Sequence, residues 1–130
     1  MKMLSFLLFI IVALLVISCE QSTESTGKDV YVDFDVESAF QNDLVKLQHD
    51  GKTLFESKVT TDYTISLAWS SGLQKFSGGK HVLLFSVVDY NTKKEFNIDL
   101  TNDTSTVLIR FNKESKLITI EQHNGRMLRD

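Results

Sequence analysis

Side chains able to do chemistry are thinly spread through this 130-residue chain. Its three histidines, His49, His81 and His123, fall in a predicted hairpin turn, at the start of a predicted strand and in the tail. None has a second His or Cys at the short spacing that metal sites use. No nucleophile elbow, phosphate loop or zinc-protease helix occurs either. The sequence therefore predicts no catalytic residue, no cofactor and no enzymatic activity, and a small hydrolase is the least favoured alternative.

One acidic segment has the side chains to hold a cation. Asp99, Asn102 and Asp103 offer the hard oxygen ligands that calcium prefers. Their spacing does not match an EF-hand loop, and Asp and Asn also build turns by bonding their own backbone. A turn is the favoured interpretation, and a calcium site is the weaker alternative.

Three aromatic residues are candidates for ligand binding. Tyr31 falls on the polar side of a predicted strand beside Asp33 and Asp35, where it could be a stacking platform in an acidic patch. Trp69 and Tyr90 follow apolar runs and lie close to predicted loops. The alternation around Trp69 favours burial in the core, and a solvated sheet face is the favoured interpretation for Tyr31. A carbohydrate-binding module using these three rings is the alternative.

The elements that must position these residues are short strands. Residues 30–36 alternate strictly between apolar and polar types, which is typical of a half-buried strand. The run from Lys80 to Val88 is the most apolar of the later chain and predicts a central strand covered on both faces. Similar runs complete a set of about eight strands: 44–49, 52–59, 63–69, 96–100, 107–111 and 117–121.

No segment after residue 28 shows sustained helical periodicity, so the predicted fold class is all-β. An antiparallel β-sandwich of about seven or eight strands accounts for the strand spacing. In general outline the pattern resembles the small immunoglobulin-like or similar Greek-key sandwiches.

Asp50-Gly51 predicts a hairpin turn, because glycine takes a positive φ at little cost. A two-residue loop pairs His49 with Lys52 and leaves Phe55 outside. A three-residue loop with a glycine bulge keeps Phe55 inside. The bulged form is preferred because it buries the larger side chain.

Composition narrows the possible partners. The net charge of −3 gives no clustered basic surface for nucleic acid. The single cysteine, Cys19, cannot close a disulfide within the chain.

The N-terminus has the pattern of a secretory signal. Lys2 precedes an apolar run from Met3 to Ile17 that is interrupted only by Ser5. A spanning helix usually needs about 20 apolar residues, and this run is shorter.

The junction Val16-Ile17-Ser18-Cys19 resembles the lipobox of bacterial lipoprotein precursors. That family has an aliphatic residue three positions before the cysteine and a small residue directly before it. The resemblance implies cleavage between Ser18 and Cys19, and a diacylglyceryl thioether on Cys19. It also implies sorting to the outer membrane rather than the inner membrane, since Glu20 is not the aspartate that usually retains such proteins.

The chain is therefore divided into a signal peptide (1–18), a lipidated cysteine with a flexible polar tether (19–28), a β-sandwich (29–122) and a disordered tail (123–130). The expected function is a lipid-anchored protein of the cell envelope whose sandwich mediates protein interaction at the membrane surface. The expected partners are the membrane, through the lipid on Cys19, and an envelope protein or a glycan.

Overall fold

A computed structural model describes residues 25–127, and the fold of this part of the chain is all-β, as predicted. The predicted signal peptide, Cys19 and the last three residues of the predicted tail lie outside the described residues. The seven strands are β1 (Ser25–Glu37), β2 (Asp43–His49), β3 (Lys52–Val59), β4 (Trp69–Val87), β5 (Thr92–Leu100), β6 (Thr104–Asn112) and β7 (Leu117–Asn124). A 3₁₀ turn at Val88–Tyr90 separates β4 from β5. No helix within residues 25–127 is long and apolar enough to cross a bilayer.

The strands are hydrogen-bonded in the order β3-β2-β4-β1-β6-β7, with β5 also on β4. The long strand β4 belongs to both halves of this sheet. Its first half, to Gly79, pairs with β1, and its second half pairs with β5 and β2. We call the first half of β4 with β1, β6 and β7 layer 1, and the second half with β2, β3 and β5 layer 2.

The two layers pack face to face in a sandwich-like fold. On one side, Phe55 of β3 stacks on Trp69 of β4, with ring centroids 3.8 Å apart. On the other side, the Gln122 side chain of β7 bonds the backbone of Asp99 in β5, donating to its carbonyl at 2.8 Å and accepting from its N–H at 3.3 Å. The Gln122 side chain thus makes the two hydrogen bonds that a neighbouring strand would make, and it links the edge strands β7 and β5.

The core between the layers is built from the inward residues of every strand. In β1 the predicted inward face is confirmed, because Val30, Val32, Phe34 and Val36 are at most 1% exposed. The largest fully buried side chains of this core are Phe34, Phe40, Phe85, Leu47, Leu83, Ile98, Leu100 and Ile109. The burial of these apolar side chains is the main contribution to the stability of a domain of this size that has no disulfide.

One strand pair differs from the antiparallel expectation. β1 and β6 run parallel, with Tyr31 beside Thr104 and Glu37 beside Arg110. A parallel pair needs a long connection, and here β2 to β5 form it. Alternation shows which face of a strand is buried but not the direction of its neighbour, so the sequence pattern could not reveal this pair.

The turn of the first hairpin has two residues. His49 pairs with Lys52, and Asp50 and Gly51 both take positive φ angles, 49° and 75°. The preferred three-residue loop was therefore wrong. An aspartate followed by a glycine suits a type I′ turn, whose twist matches that of the strands.

A bulge further along β3 nevertheless brings Phe55 to the inner face. The register shifts between Leu47 and Gln48, which leaves Leu54 as the extra residue of β3 and places Phe55 opposite Leu47. Phe55 is thus in phase with the buried Val59, as the bulged alternative required. The predicted glycine bulge in the loop is absent, and the bulge at Leu54 was not predicted, although it has the same effect on Phe55.

The predicted strand at 63–69 is wrong. An isolated bridge between Asp62 and Leu67 closes a turn there, and β4 begins only at Trp69. The Thr64 N–H donates to the Asp62 carboxylate at 2.9 Å, and Ser66 takes a positive φ of 56°. Apolar and polar residues alternate in this turn as they would in a strand, and the sequence pattern predicted a strand here for that reason.

The second half of β4 is central in its layer but is covered on one face only. Leu83, Phe85 and Val87 are buried, whereas Val82 is 41% exposed. The prediction of a strand covered on both faces was wrong, because no further element of the described chain packs on the outer side of layer 2 there.

Candidate binding surfaces

The outer side of layer 1 carries the predicted acidic strand face, which we call the β1 face and define by Tyr31, Asp33 and Asp35 with Leu73 and Lys75 of β4. Tyr31 pairs with Lys75, and Asp33 pairs with Leu73. Tyr31 and Leu73 are therefore diagonal neighbours on adjacent strands. Their exposed fractions are 43% and 45%. An aromatic ring and a leucine thus lie together on an open sheet surface.

The two aspartates of this face are buried rather than solvated, which corrects the sequence interpretation. Asp33 and Asp35 are each only 4% exposed. Asp33 Oδ1 accepts hydrogen bonds from Ser70 Oγ at 2.9 Å and Ser71 Oγ at 3.5 Å. Its other oxygen lies 3.6 Å from Nε of Arg126. A buried carboxylate needs such hydrogen-bond and ion-pair partners. They hold the Asp33 side chain in place beside Tyr31.

The end of the described chain is bound to layer 1 rather than free. β7 continues to Asn124, beyond the predicted domain boundary. The hydroxyl of buried Thr106 donates to the Gly125 carbonyl at 3.0 Å and accepts from the Met127 N–H at 3.1 Å. This segment places Arg126 next to Asp33, so it helps to cover the aspartate.

The three predicted aromatic ligand residues do not share a groove. Trp69 stacks on Phe55 and packs against the core, as predicted, although the alternation behind that prediction belongs to a turn. Tyr90 also packs against the core, edge-on to Phe111 at a centroid distance of 5.3 Å. Tyr31 alone of the three lies on an open face.

Two of the calcium candidates make other contacts, Asp103 through its carboxylate and Asp99 through its backbone. The Asp103 carboxylate forms an ion pair with Lys28 Nζ at 2.6 Å, and this hydrogen bond lowers the pKa of Asp103. The backbone of Asp99 is bonded to Gln122. Within residues 25–127 no three His, Cys, Asp or Glu side chains come together as a metal site.

Two histidines form a pair that the sequence analysis missed. His49 Nε2 lies 3.0 Å from His81 Nδ1, and His81 Nε2 lies 2.7 Å from the Ser77 carbonyl. A carbonyl only accepts, so Nε2 of His81 carries a proton, and Nδ1 of the neutral ring accepts the proton of His49 Nε2. His81 is 2% exposed, and both rings contact Phe76. Only the pairing of β2 with β4 brings the two histidines together, and spacing along the chain cannot show it.

We expect acid to weaken the fold through this pair. Burial lowers the pKa of His49, Asp50 opposes the shift, and His81 adds to it. The unfolded chain therefore binds this proton more readily than the folded chain, and stability falls as the pH drops below the ordinary histidine pKa of about 6.5. Urea unfolding between pH 7.5 and 5 should show this loss, and H49Q should show a smaller one. Identical pH dependence in the two proteins would contradict the assignment.

A depression of about 260 Å³ lies at the end of layer 1 where β1 and β6 finish. We call it the Tyr63 depression. Its lining residues are Glu37, Ser38, Thr61, Tyr63, Ser66 and Arg110. The sequence analysis missed it because it assigned Tyr63 to a strand, with its ring turned inward. The ring is instead 74% exposed.

The Tyr63 depression combines an open aromatic ring, hydroxyl groups and an ion pair. Arg110 Nε donates to Glu37 Oε2 at 2.8 Å, and Arg110 Nη1 bonds Glu121. These hydrogen bonds raise the pKa of Arg110, so its guanidinium stays charged. The groups suit the binding of a polar ligand, and none of them is an activated nucleophile.

This chain matches no protein-family model, no curated protein and no solved structure.

Proposed function

We propose that this protein is a lipid-anchored component of the bacterial cell envelope, at the outer membrane, and that its β-sandwich is a binding module for protein interaction at the membrane surface. The Val16-Ile17-Ser18-Cys19 junction and the polar residues after it support the anchor. The observation that carries the binding role is the β1 face.

The β1 face has the composition of a protein-binding surface. Tyr31 and Leu73 form an apolar centre. Lys75 and Asp29 form an ion pair at 3.1 Å on its rim. An aromatic centre with a polar rim is typical of protein interfaces, and tyrosine is enriched among the residues that contribute most to binding. On the same face the buried carboxylate of Asp33 accepts a hydrogen bond from Ser70 Oγ at 2.9 Å.

The anchor would hold this face close to the bilayer. β1 begins at Ser25, within the segment predicted as a tether. Six residue steps from Cys19 to Ser25 span at most about 20 Å. Tyr31 lies on the same strand, so a partner of this face must itself be at the membrane surface.

The proposal assigns no catalysis to the histidine pair. The ring nitrogens of His49 and His81 contact each other, the Asp50 carboxylate and the Ser77 carbonyl. None of these described contacts is to a hydroxyl or thiol. A hydrolytic site that works through a serine or cysteine nucleophile would need such a group beside the base.

Site-specific crosslinking tests the binding role. A photo-reactive amino acid at position 31 of the membrane-anchored chain should give one discrete adduct with an envelope protein, and L73D should abolish it. The control is the same probe at Leu117, which is 56% exposed at the opposite end of layer 1. No adduct at position 31, or an equal adduct at position 117, would contradict the role of the β1 face.

A further inference from the structure

The Tyr63 depression is separate from the β1 face. Glu37 and Arg110 pair at one end of layer 1, and Tyr31 pairs with Thr104 at the other. Six residues of extended strand separate Tyr31 from Glu37, which corresponds to about 20 Å. A ligand at Tyr63 would therefore not cover the protein-binding face.

The Tyr63 ring is not required by the turn that carries it. The Asp62–Leu67 bridge and the hydrogen bond from the Thr64 N–H to Asp62 close this turn. Tyrosine usually buries much of its ring, and a ring that is 74% exposed contributes little to packing. Its open face is available to a ligand.

The walls of the depression are held rigidly. Ser38 has a φ of 151° and Ser66 a φ of 56°, conformations that are unfavourable for residues other than glycine. The Ser38 carbonyl accepts the Thr61 hydroxyl, and the Ser38 hydroxyl accepts the Phe111 N–H. Strained residues of this kind persist where their surroundings fix them, and they concentrate at binding sites.

The charges around the depression disfavour an anion. Arg110 is paired with two carboxylates, Glu37 and Glu121, so the cluster has one more negative than positive charge. The cluster presents the planar guanidinium of Arg110, which donates hydrogen bonds, beside the planar carboxylates of Glu37 and Glu121, which accept them. Neighbouring hydroxyl groups of a sugar, each able to donate and accept, are complementary to such a pair.

We propose that the Tyr63 depression binds a single neutral sugar ring, with one face of the sugar on Tyr63 and its hydroxyls bound by Glu37, Arg110 and the flanking serines. The inference goes beyond the proposed protein interaction and does not depend on it. A volume of about 260 Å³ lies just below the range of pockets for drug-sized ligands, so it suits one ring rather than a peptide. A second depression, of about 280 Å³ beside Val82 and Glu95, lacks an aromatic platform.

Nuclear magnetic resonance titration of the full chain in detergent micelles tests this inference. The probes are a panel of neutral hexoses and N-acetylhexosamines, with inorganic phosphate as the anionic comparison. At least one sugar should shift the amide signals of residues 61–66 and 110, and phosphate should not. Y63A should weaken the binding at least about tenfold, since truncating a central aromatic residue removes most of its contact. Y63F, which keeps the ring, should bind within about threefold of the natural protein.

The matched control is Y31A, which removes an exposed tyrosine from the other end of the layer. It should bind sugar as the natural protein does. The inference is overturned if no sugar of the panel shifts these signals, if phosphate binds more tightly than every sugar, or if Y63A binds unchanged.

Discussion

Replacing Cys19 with serine should abolish the incorporation of fatty acid into this protein. In the lipoprotein family that the Val16-Ile17-Ser18-Cys19 junction resembles, the cysteine thiol carries the diacylglyceryl group, and a serine hydroxyl does not replace it. One acyl chain binds a membrane only marginally, whereas two or three hold a protein there, at about 0.8 kcal/mol for each buried methylene. The loss of fatty acid labelling in C19S should therefore be close to complete. The measurement is labelling with an alkyne fatty acid in a bacterial host.

The matched control for this prediction is S18A. Alanine is as small as the position before the cysteine requires, so labelling should continue. Equal labelling of the natural protein and C19S would show that the fatty acid is attached elsewhere, and an absence of labelling in both would remove the anchor from the account.

Replacing Phe34 with alanine should lower the free energy of unfolding by about 3–5 kcal/mol. Phe34 is completely buried in the middle of β1, and its ring lies 5.8 Å from that of Phe76. Alanine removes the apolar surface that Phe34 buries and leaves a cavity that a strand bonded on both sides cannot close. Since domains are stable by only about 5–15 kcal/mol, F34A should be near the limit of folding. Urea unfolding measures the difference.

The comparison variant is Y63A, which also truncates an aromatic ring. Because Tyr63 is 74% exposed, this change should cost less than about 0.5 kcal/mol. A similar loss of stability in both variants would mean that the core is not where the fold places it.

The strand pattern was predictable where the apolar side chains of a strand occupy one face. Val30, Val32, Phe34 and Val36 illustrate this, since this parity of β1 lies wholly in the core. Trp69 does pack against the core, but the alternation of residues 63–69 from which this was predicted belongs to a turn and not to a strand. Alternation reports the contrast between core and solvent, and it succeeds wherever that contrast is real.

The sequence-based predictions fail where contacts between residues distant in sequence determine the burial and the partners of a side chain. Asp33 alternates like a solvated residue, yet Ser70, Ser71 and Arg126 bury and bond it. His49 and His81 meet only because β2 lies beside β4. No local pattern contains these contacts.

The Tyr63 depression was missed for a related reason. Tyr63 alternates with polar neighbours in a turn held by Asp62, so the pattern of a strand appeared where no strand exists. Its partners Glu37 and Arg110 come from β1 and β6. A site assembled at the ends of three separate segments gives no signal in spacing along the chain.

The mass of the mature protein, extracted from membranes, tests the central claim most directly. The account predicts a chain that begins at Cys19 and carries a diacylglyceryl group on that residue, with residues 1–18 removed. A chain recovered with Cys19 as a free thiol, or cleaved at another position, would contradict it.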